Sequence, residues 1–175
     1  RQEAQRLNVK VLQPDINRSD SVFSCSAEKG EIYYALAAVK GVGKQAMDAV
    51  VADRIENGPF RSPADFARRV DPKLVNKRAF ESLARAGAFD SLNPNRRQMV
   101  VSSDVLLSSA QRNAREREVG QTTLFGGPAE ATEDVRLAPT ADWMPHERLS
   151  EEFGAMGFYL SGHPLDSYGA ALKRL

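Results

Sequence analysis

Two glycines flank a single valine at Gly41-Val42-Gly43, in a stretch whose other apolar residues fall at helical spacing. Leu36 and Val39 precede the trio, and Ala46 and Val50 follow it. The pattern predicts a helix, a tight hairpin and a second helix. Glycine takes φ > 0 and lets the backbone approach a ligand with no Cβ in the way. Val42 can point into the core and pin the hairpin. The amides of Gly41, Gly43 and Lys44 then lie where a helix begins, and unpaired N–H groups and the helix dipole favour an anion there. Ala46 permits close helix packing, and Lys40 and Lys44 add mobile positive charge.

This arrangement resembles the helix-hairpin-helix pattern, which implies a grip on the sugar–phosphate backbone of duplex DNA without reading sequence. A second, degenerate copy spans Phe66 to Phe80, with Leu74 and Val75 as buried turn residues. That turn lacks glycine, so Asn76 as helix cap and the cations Lys73, Lys77 and Arg78 would have to compensate. Two uses of the second copy stay open: a DNA contact, or a helix pair that only completes the fold.

The rest of the chain supports a mainly α fold with a small N-terminal β-hairpin. Residues 22–25 and 32–34 flank Glu28-Lys29-Gly30, a hairpin turn. Ser62-Pro63-Ala64-Asp65 reads as an N-cap with Pro at N1, and Asn76 caps a helix over Lys77 to Ala86 that Gly87 closes. Asn93-Pro94 opens a longer helix expected to reach about Val119. Residues 119–142, with Gly126-Gly127-Pro128 and Pro139, read as a flexible linker. Pro145 starts a C-terminal helical segment within 143–175, and a last helix is expected from Leu165. The expected division is therefore 1–35, 36–118, 119–142 and 143–175.

Charge sharpens this division. The formal net charge of +1 over 175 residues hides a neutral stretch at 1–60, a net +5 at 61–118 and a net −4 at 119–175. A basic middle and an acidic tail suit a nucleic-acid contact followed by an extension that avoids it. Two differently solvated surfaces would give the same numbers. One cysteine excludes a disulfide framework and points to a reducing, cytoplasmic setting. Two histidines and one cysteine argue against structural zinc, and no apolar run reaches the roughly 18 residues of a membrane span. Cys25 is read as a packing residue, His146 as surface and His163 as a structural hydrogen bonder. Trp143, Phe153, Phe158 and Tyr159 are read as a small apolar cluster, and Glu151-Glu152 as a solvated helix face.

Further motifs run through nearly the whole chain. They include Pro14-Asp15-Ile16-Asn17-Arg18-Ser19, Tyr34 through Gly43, Gly58-Pro59-Phe60 and Asn76-Lys77-Arg78. Ala86-Gly87-Ala88-Phe89-Asp90 and Gly157 through Leu165 follow. Together they resemble the alpha subunits of bacterial replicative DNA polymerase III, the C-family polymerases. The resemblance implies a piece running from the end of the fingers, through a tandem helix-hairpin-helix region, to just before an OB-fold. The chain's first residues, neither a start methionine nor a leader, agree with a piece of a longer protein. It also implies that the carboxylates binding Mg²⁺ for phosphoryl transfer lie upstream, so no catalytic residue, cofactor or metal site is expected here. Gln121-Thr122-Thr123-Leu124-Phe125 resembles the peptide by which this family binds its ring-shaped sliding clamp. Leu124 and Phe125 would fill an apolar pocket, with Gln121 hydrogen-bonding at its edge. The expected partners are duplex DNA, the sliding clamp and the rest of the polymerase and replicase, with no membrane. A standalone DNA-binding or repair protein, or a purely structural connector, are the alternatives.

Overall fold

The computed structural model describes residues 10–26, 30–119, 135–162 and Pro164. Three short strands open it: β1 (Lys10–Leu12), β2 (Ser24–Ser26) and β3 (Glu31–Tyr33). β2 and β3 pair antiparallel with Cys25 opposite Ile32, as the expected hairpin requires. β1 adds a parallel neighbour on the other edge of β3, giving the order β1-β3-β2. Cys25 is exposed on this sheet and does not pack as expected, because edge strand β2 has one face to solvent.

Six helices follow among the described residues: α1 (Lys44–Asn57), α2 (Pro63–Arg69), α3 (Lys77–Ala86), α4 (Arg96–Val101), α5 (Ser103–Val119) and α6 (Pro145–Met156). The fold is mainly α. The segment before the glycine hairpin is one turn of 3-10 helix, Leu36–Ala38, where a longer helix was expected. Ser62 Oγ accepts from the Asp65 amide at 3.0 Å and Asn76 Oδ1 from the Ala79 amide at 2.9 Å, so both predicted caps form. Each such cap stabilises its helix by about 1 kcal/mol. Gly87 ends α3 at φ +87, and a Cβ there would overlap the Arg96 guanidinium.

The single long helix expected from Asn93-Pro94 divides into α4 and α5 at Ser102. Its cap is Asn95, whose side chain accepts from the Gln98 amide, while Asn93 Oδ1 accepts from the Asn95 amide. Ile55, near the C-terminal end of α1, is 77% exposed, unlike the buried Val50. A one-sided helix cannot bury Val50 and a residue five positions later equally well.

Four phenylalanines form the centre of the core. Phe66 lies 5.1 Å from Phe60 and 5.0 Å from Phe89, and Phe80 lies 4.8 Å from Phe89, ring centroid to ring centroid. Phe60, Phe66, Phe80 and Phe89 are all buried, each contributing about 1.5–3 kcal/mol by leaving water. Expected flexibility does not extend to residues 135–142. Asn95 Nδ2 donates to the Thr140 carbonyl, Gln98 Nε2 to the Ala138 carbonyl, and Val135 and Leu137 pack on the core.

Glu152 overturns the reading of Glu151-Glu152 as solvated. It is fully buried, and its Oε2 accepts from Arg96 Nη1 at 3.2 Å and from Gln13 Nε2 at 3.2 Å. Its Oε1 takes the amides of Leu160 at 2.6 Å and Ser161 at 2.8 Å. Arg96 is itself 1% exposed and forks onto Asp90 at 2.7 Å. Burial opposes ionisation of Glu152, but the Ser161 hydroxyl and amide, the Leu160 amide and Arg96 outweigh it. The carboxyl is therefore held below the usual glutamate range. Glu151 is half in solvent and pairs with Arg85 at 2.9 Å. Of the expected aromatic cluster, Phe153 stacks on Tyr159 at 4.9 Å, and Phe158 meets Tyr34 at 5.5 Å. His146 is exposed, as expected. His163 and the helix expected from Leu165 lie outside the described residues.

Candidate nucleic-acid interface

The first hairpin is a turn closed by the Val42 amide donating to the Val39 carbonyl at 3.2 Å. Gly41, third in that turn, has φ +77, a conformation that costs an L-residue with a side chain about 1–2 kcal/mol. Val42 is buried and anchors the turn to the core. The Lys40 amide donates to the Ala155 carbonyl at 2.9 Å, which ties the hairpin to α6.

Gly43 is the N-cap of α1, and this end differs chemically from those of α2, α3 and α4. No side chain caps it, and no acidic residue stands in its first turn. The first helical bond runs from the Met47 amide to the Gly43 carbonyl, so the preceding amides have no intrahelical partner. Gly43 has open space on its Cβ side. The N-terminus of a 14-residue helix thus presents free donors and a positive dipole end with no side chain over them.

The second hairpin is built differently. Asp71 accepts the Leu74 and Val75 amides at its carbonyl and the Lys73 amide at its carboxylate, forming a compact turn without glycine. Val75 is buried and Leu74 partly so, as the sequence implied. Asn76 caps α3 with its side chain, as the sequence implied. What this hairpin contributes is charge. Lys73, Lys77 and Arg78 are all exposed, and Arg78 reaches the first hairpin. A Cβ built on Gly41 would stand 3.3 Å from Arg78 Nε. The two hairpins therefore meet at Gly41.

Acids that the sequence reading did not assign hold several of these cations. Lys44 Nζ lies 2.7 Å from Asp48, and Lys77 Nζ lies 2.7 Å from Asp104 and 4.0 Å from Glu81. The hydrogen bonds from Lys44 and the Ser21 hydroxyl lower the Asp48 pKa, and the bond to Asp104 raises that of Lys77. Lys40 Nζ lies over Gly157 at the C-terminal end of α6, where helix carbonyls carry partial negative charge. The Lys44–Asp48 pair was readable from its i,i+4 spacing. Asp104, 27 residues from Lys77, left no local signal.

Gln121, Leu124 and Phe125 lie outside the described residues. Among the described residues, no group of three or more His, Cys, Asp or Glu side chains is placed to hold a metal ion. No helix among them is long and apolar enough to cross a membrane.

Residues 8–99 match the family described as the helix-hairpin-helix motif. The chain is 49% identical over 173 residues to DNA polymerase III subunit alpha of Caulobacter vibrioides, covering 99% of this chain and 15% of that protein. It is 40% identical over 168 residues to the protein of that name from Haemophilus influenzae, covering 95% of this chain and 14% of the relative. The protein of that name from Xylella fastidiosa (strain Temecula1) is 37% identical over 175 residues, covering 99% of this chain and 15% of the relative. The chain thus spans only about 15% of the length of the curated relatives it matches.

Proposed function

Because the chain belongs to the helix-hairpin-helix motif family, we propose that it holds duplex DNA by its phosphates as a non-catalytic segment of a DNA polymerase III alpha subunit. The observation that carries this reading is the uncapped N-terminus of α1 behind Gly41, with Arg78 alongside. Phosphate oxygens accept hydrogen bonds from backbone amides and from guanidinium forks, and neither donor reads a base. The contact is thus independent of sequence and sensitive to salt, because each neutralised phosphate releases counterions.

In the whole enzyme, the grip would steady newly made duplex behind the active site. The Mg²⁺-dependent chemistry belongs to carboxylates elsewhere in the polymerase. Gln121, Leu124 and Phe125 would tether the enzyme to its sliding clamp. Supporting the tether are the Gln-x-x-Leu-Phe spacing and its place just beyond the end of α5 at Val119. Two modest contacts joined in one chain hold better than either alone, because the second binds at high effective concentration.

Anisotropy titration with two duplexes of unrelated sequence tests the DNA reading. Affinities equal within about twofold, falling steeply with salt, are expected. Binding to one sequence only, or binding indifferent to salt, would contradict it.

A further inference from the structure

The C-terminal ends of α1 and α5, with Arg61 and the helix α2 that leads into the second hairpin, line a second basic site. α1 carries Lys44 at the hairpin face and Asp53 nine positions on, and α5 runs from Asp104, beside Lys77, to Arg117. At 1.5 Å per residue, Lys44 and Asp53 lie about 14 Å apart along α1, and Asp104 and Arg117 about 20 Å apart along α5. A cleft of about 470 Å³ opens there, lined by Arg61, Arg68, Arg69 and Arg117 with Asp53 and Asp65.

These four arginines are not equivalent. Arg69 is structural: it pairs with Asp53 at 2.6 Å, donates to the Gly58 carbonyl at 2.7 Å and stacks over Phe60, 4.1 Å from the ring centroid. Arg68 is half exposed and shares Asp65 at 2.7 Å. The Arg61 side chain is exposed and has no hydrogen-bond or ion-pair partner among the described residues. Among the described residues, Arg117 reaches only the Asn113 carbonyl of its own helix, at 3.3 Å. Two guanidinium groups thus face an open concavity with no ion pair of their own among the described residues, its two aspartates being paired with Arg68 and Arg69.

We propose that this arginine cleft binds phosphates of a single nucleic-acid strand, separate from the duplex at the hairpins. Guanidinium forks match phosphate oxygens in pairs, and every cation in the cleft is arginine. Among the described residues, apart from the two aspartates and Asn57, the arginines complete the lining, which gives a peptide side chain no aliphatic or aromatic pocket there. Nor does any described residue of the lining offer an aromatic ring to stack a base, so contact is with the backbone. The volume suits a nucleotide-sized group, and a flexible strand can enter it, whereas a stiff duplex meets only the rim.

The test uses the whole chain, a fluorescein-labelled 12-nucleotide oligothymidylate and a labelled duplex, at low and moderate salt. Arg61→Gln with Arg117→Gln is expected to weaken oligothymidylate binding about fivefold or more and to reduce its salt slope by about 1.4. Duplex affinity and thermal midpoint should stay unchanged, since both side chains are exposed. Lys44→Gln with Arg78→Gln should do the reverse, so failure of the hairpin reading shows in the duplex arm alone. Absent binding of oligothymidylate, or affinity unaltered by the arginine substitutions, would overturn the proposal. Displacement by octaglutamate at equal concentration would assign the cleft to an acidic protein and overturn it likewise.

Discussion

Arg78, on the second hairpin, lies across Gly41, on the first, so close that a Cβ on Gly41 would stand 3.3 Å from the guanidinium Nε. The contact gives the two hairpins complementary tasks on one surface. The first supplies backbone donors at an uncapped helix end, and the second, whose helix end Asn76 already satisfies, supplies cations. Sequence alone suggested one such device and a second, degenerate copy whose use stayed open. The structure makes them unequal partners.

Alanine at each glycine separates strain from access. Gly41→Ala should lower stability by about 1–2 kcal/mol, because φ +77 is unfavourable for alanine, and should weaken duplex binding as well. Gly43→Ala meets no atom within 4 Å and has an ordinary φ of −80. It should fold with a thermal midpoint near that of the parent yet bind duplex several-fold more weakly, since its methyl projects where a phosphate must approach. Calorimetry and anisotropy on both variants distinguish the two effects.

Asp104 holds Lys77 and Asp48 holds Lys44, so under the proposed reading each acid would compete with a phosphate for its lysine. Asp104→Asn should therefore raise duplex affinity by about twofold at low salt, while Lys77→Gln lowers it. Paired titrations at two salt concentrations check this, and the gain should fade as salt screens the exposed pair.

Glu152→Gln should lower stability by about 3 kcal/mol, because among the described residues it leaves the buried Arg96 with Asp90 as its only carboxylate partner. The sign with pH follows from the lowered pKa. Stabilisation by Glu152 is complete above the ordinary glutamate value of 4.5 and is lost as pH falls through the lower folded value. Urea unfolding between pH 7 and pH 3 should show the parent losing stability steeply below about 4.5, and the glutamine variant less so.

For the linker peptide, Gln121→Ala with Leu124→Ala and Phe125→Ala should abolish binding to the cognate sliding clamp without changing duplex affinity. Surface plasmon resonance against immobilised clamp reads the first, and anisotropy the second. Clamp binding that survives the triple substitution would remove these residues from the tether.

Local chemistry was legible in the sequence, and long-range chemistry was not. Ser62, Asn76 and Gly87 act within four residues of their own helix ends, so spacing alone identified them. Gly41 was recognisable because few residues accept its backbone. By contrast, Arg96 and Glu152 stand 56 positions apart, and each looks solvent-loving until the other is beside it. A hint was present: Glu152 falls on the same helical stripe as Leu149 and Met156. Residues 135–142 misled for a related reason. Their proline and small residues suit a mobile tether, but side chains of α4 and its cap bond their backbone in place.

The central claim is that phosphate seats on the N-terminal amides of α1 beside Arg78. Amide chemical-shift mapping during titration with a short duplex tests it most directly. The largest, salt-reversible shifts are expected on Gly41, Gly43, Lys44 and Gln45, with smaller ones at Lys77 and Arg78. Saturable duplex binding that leaves those amides unmoved, with shifts centred elsewhere on the surface, would contradict it.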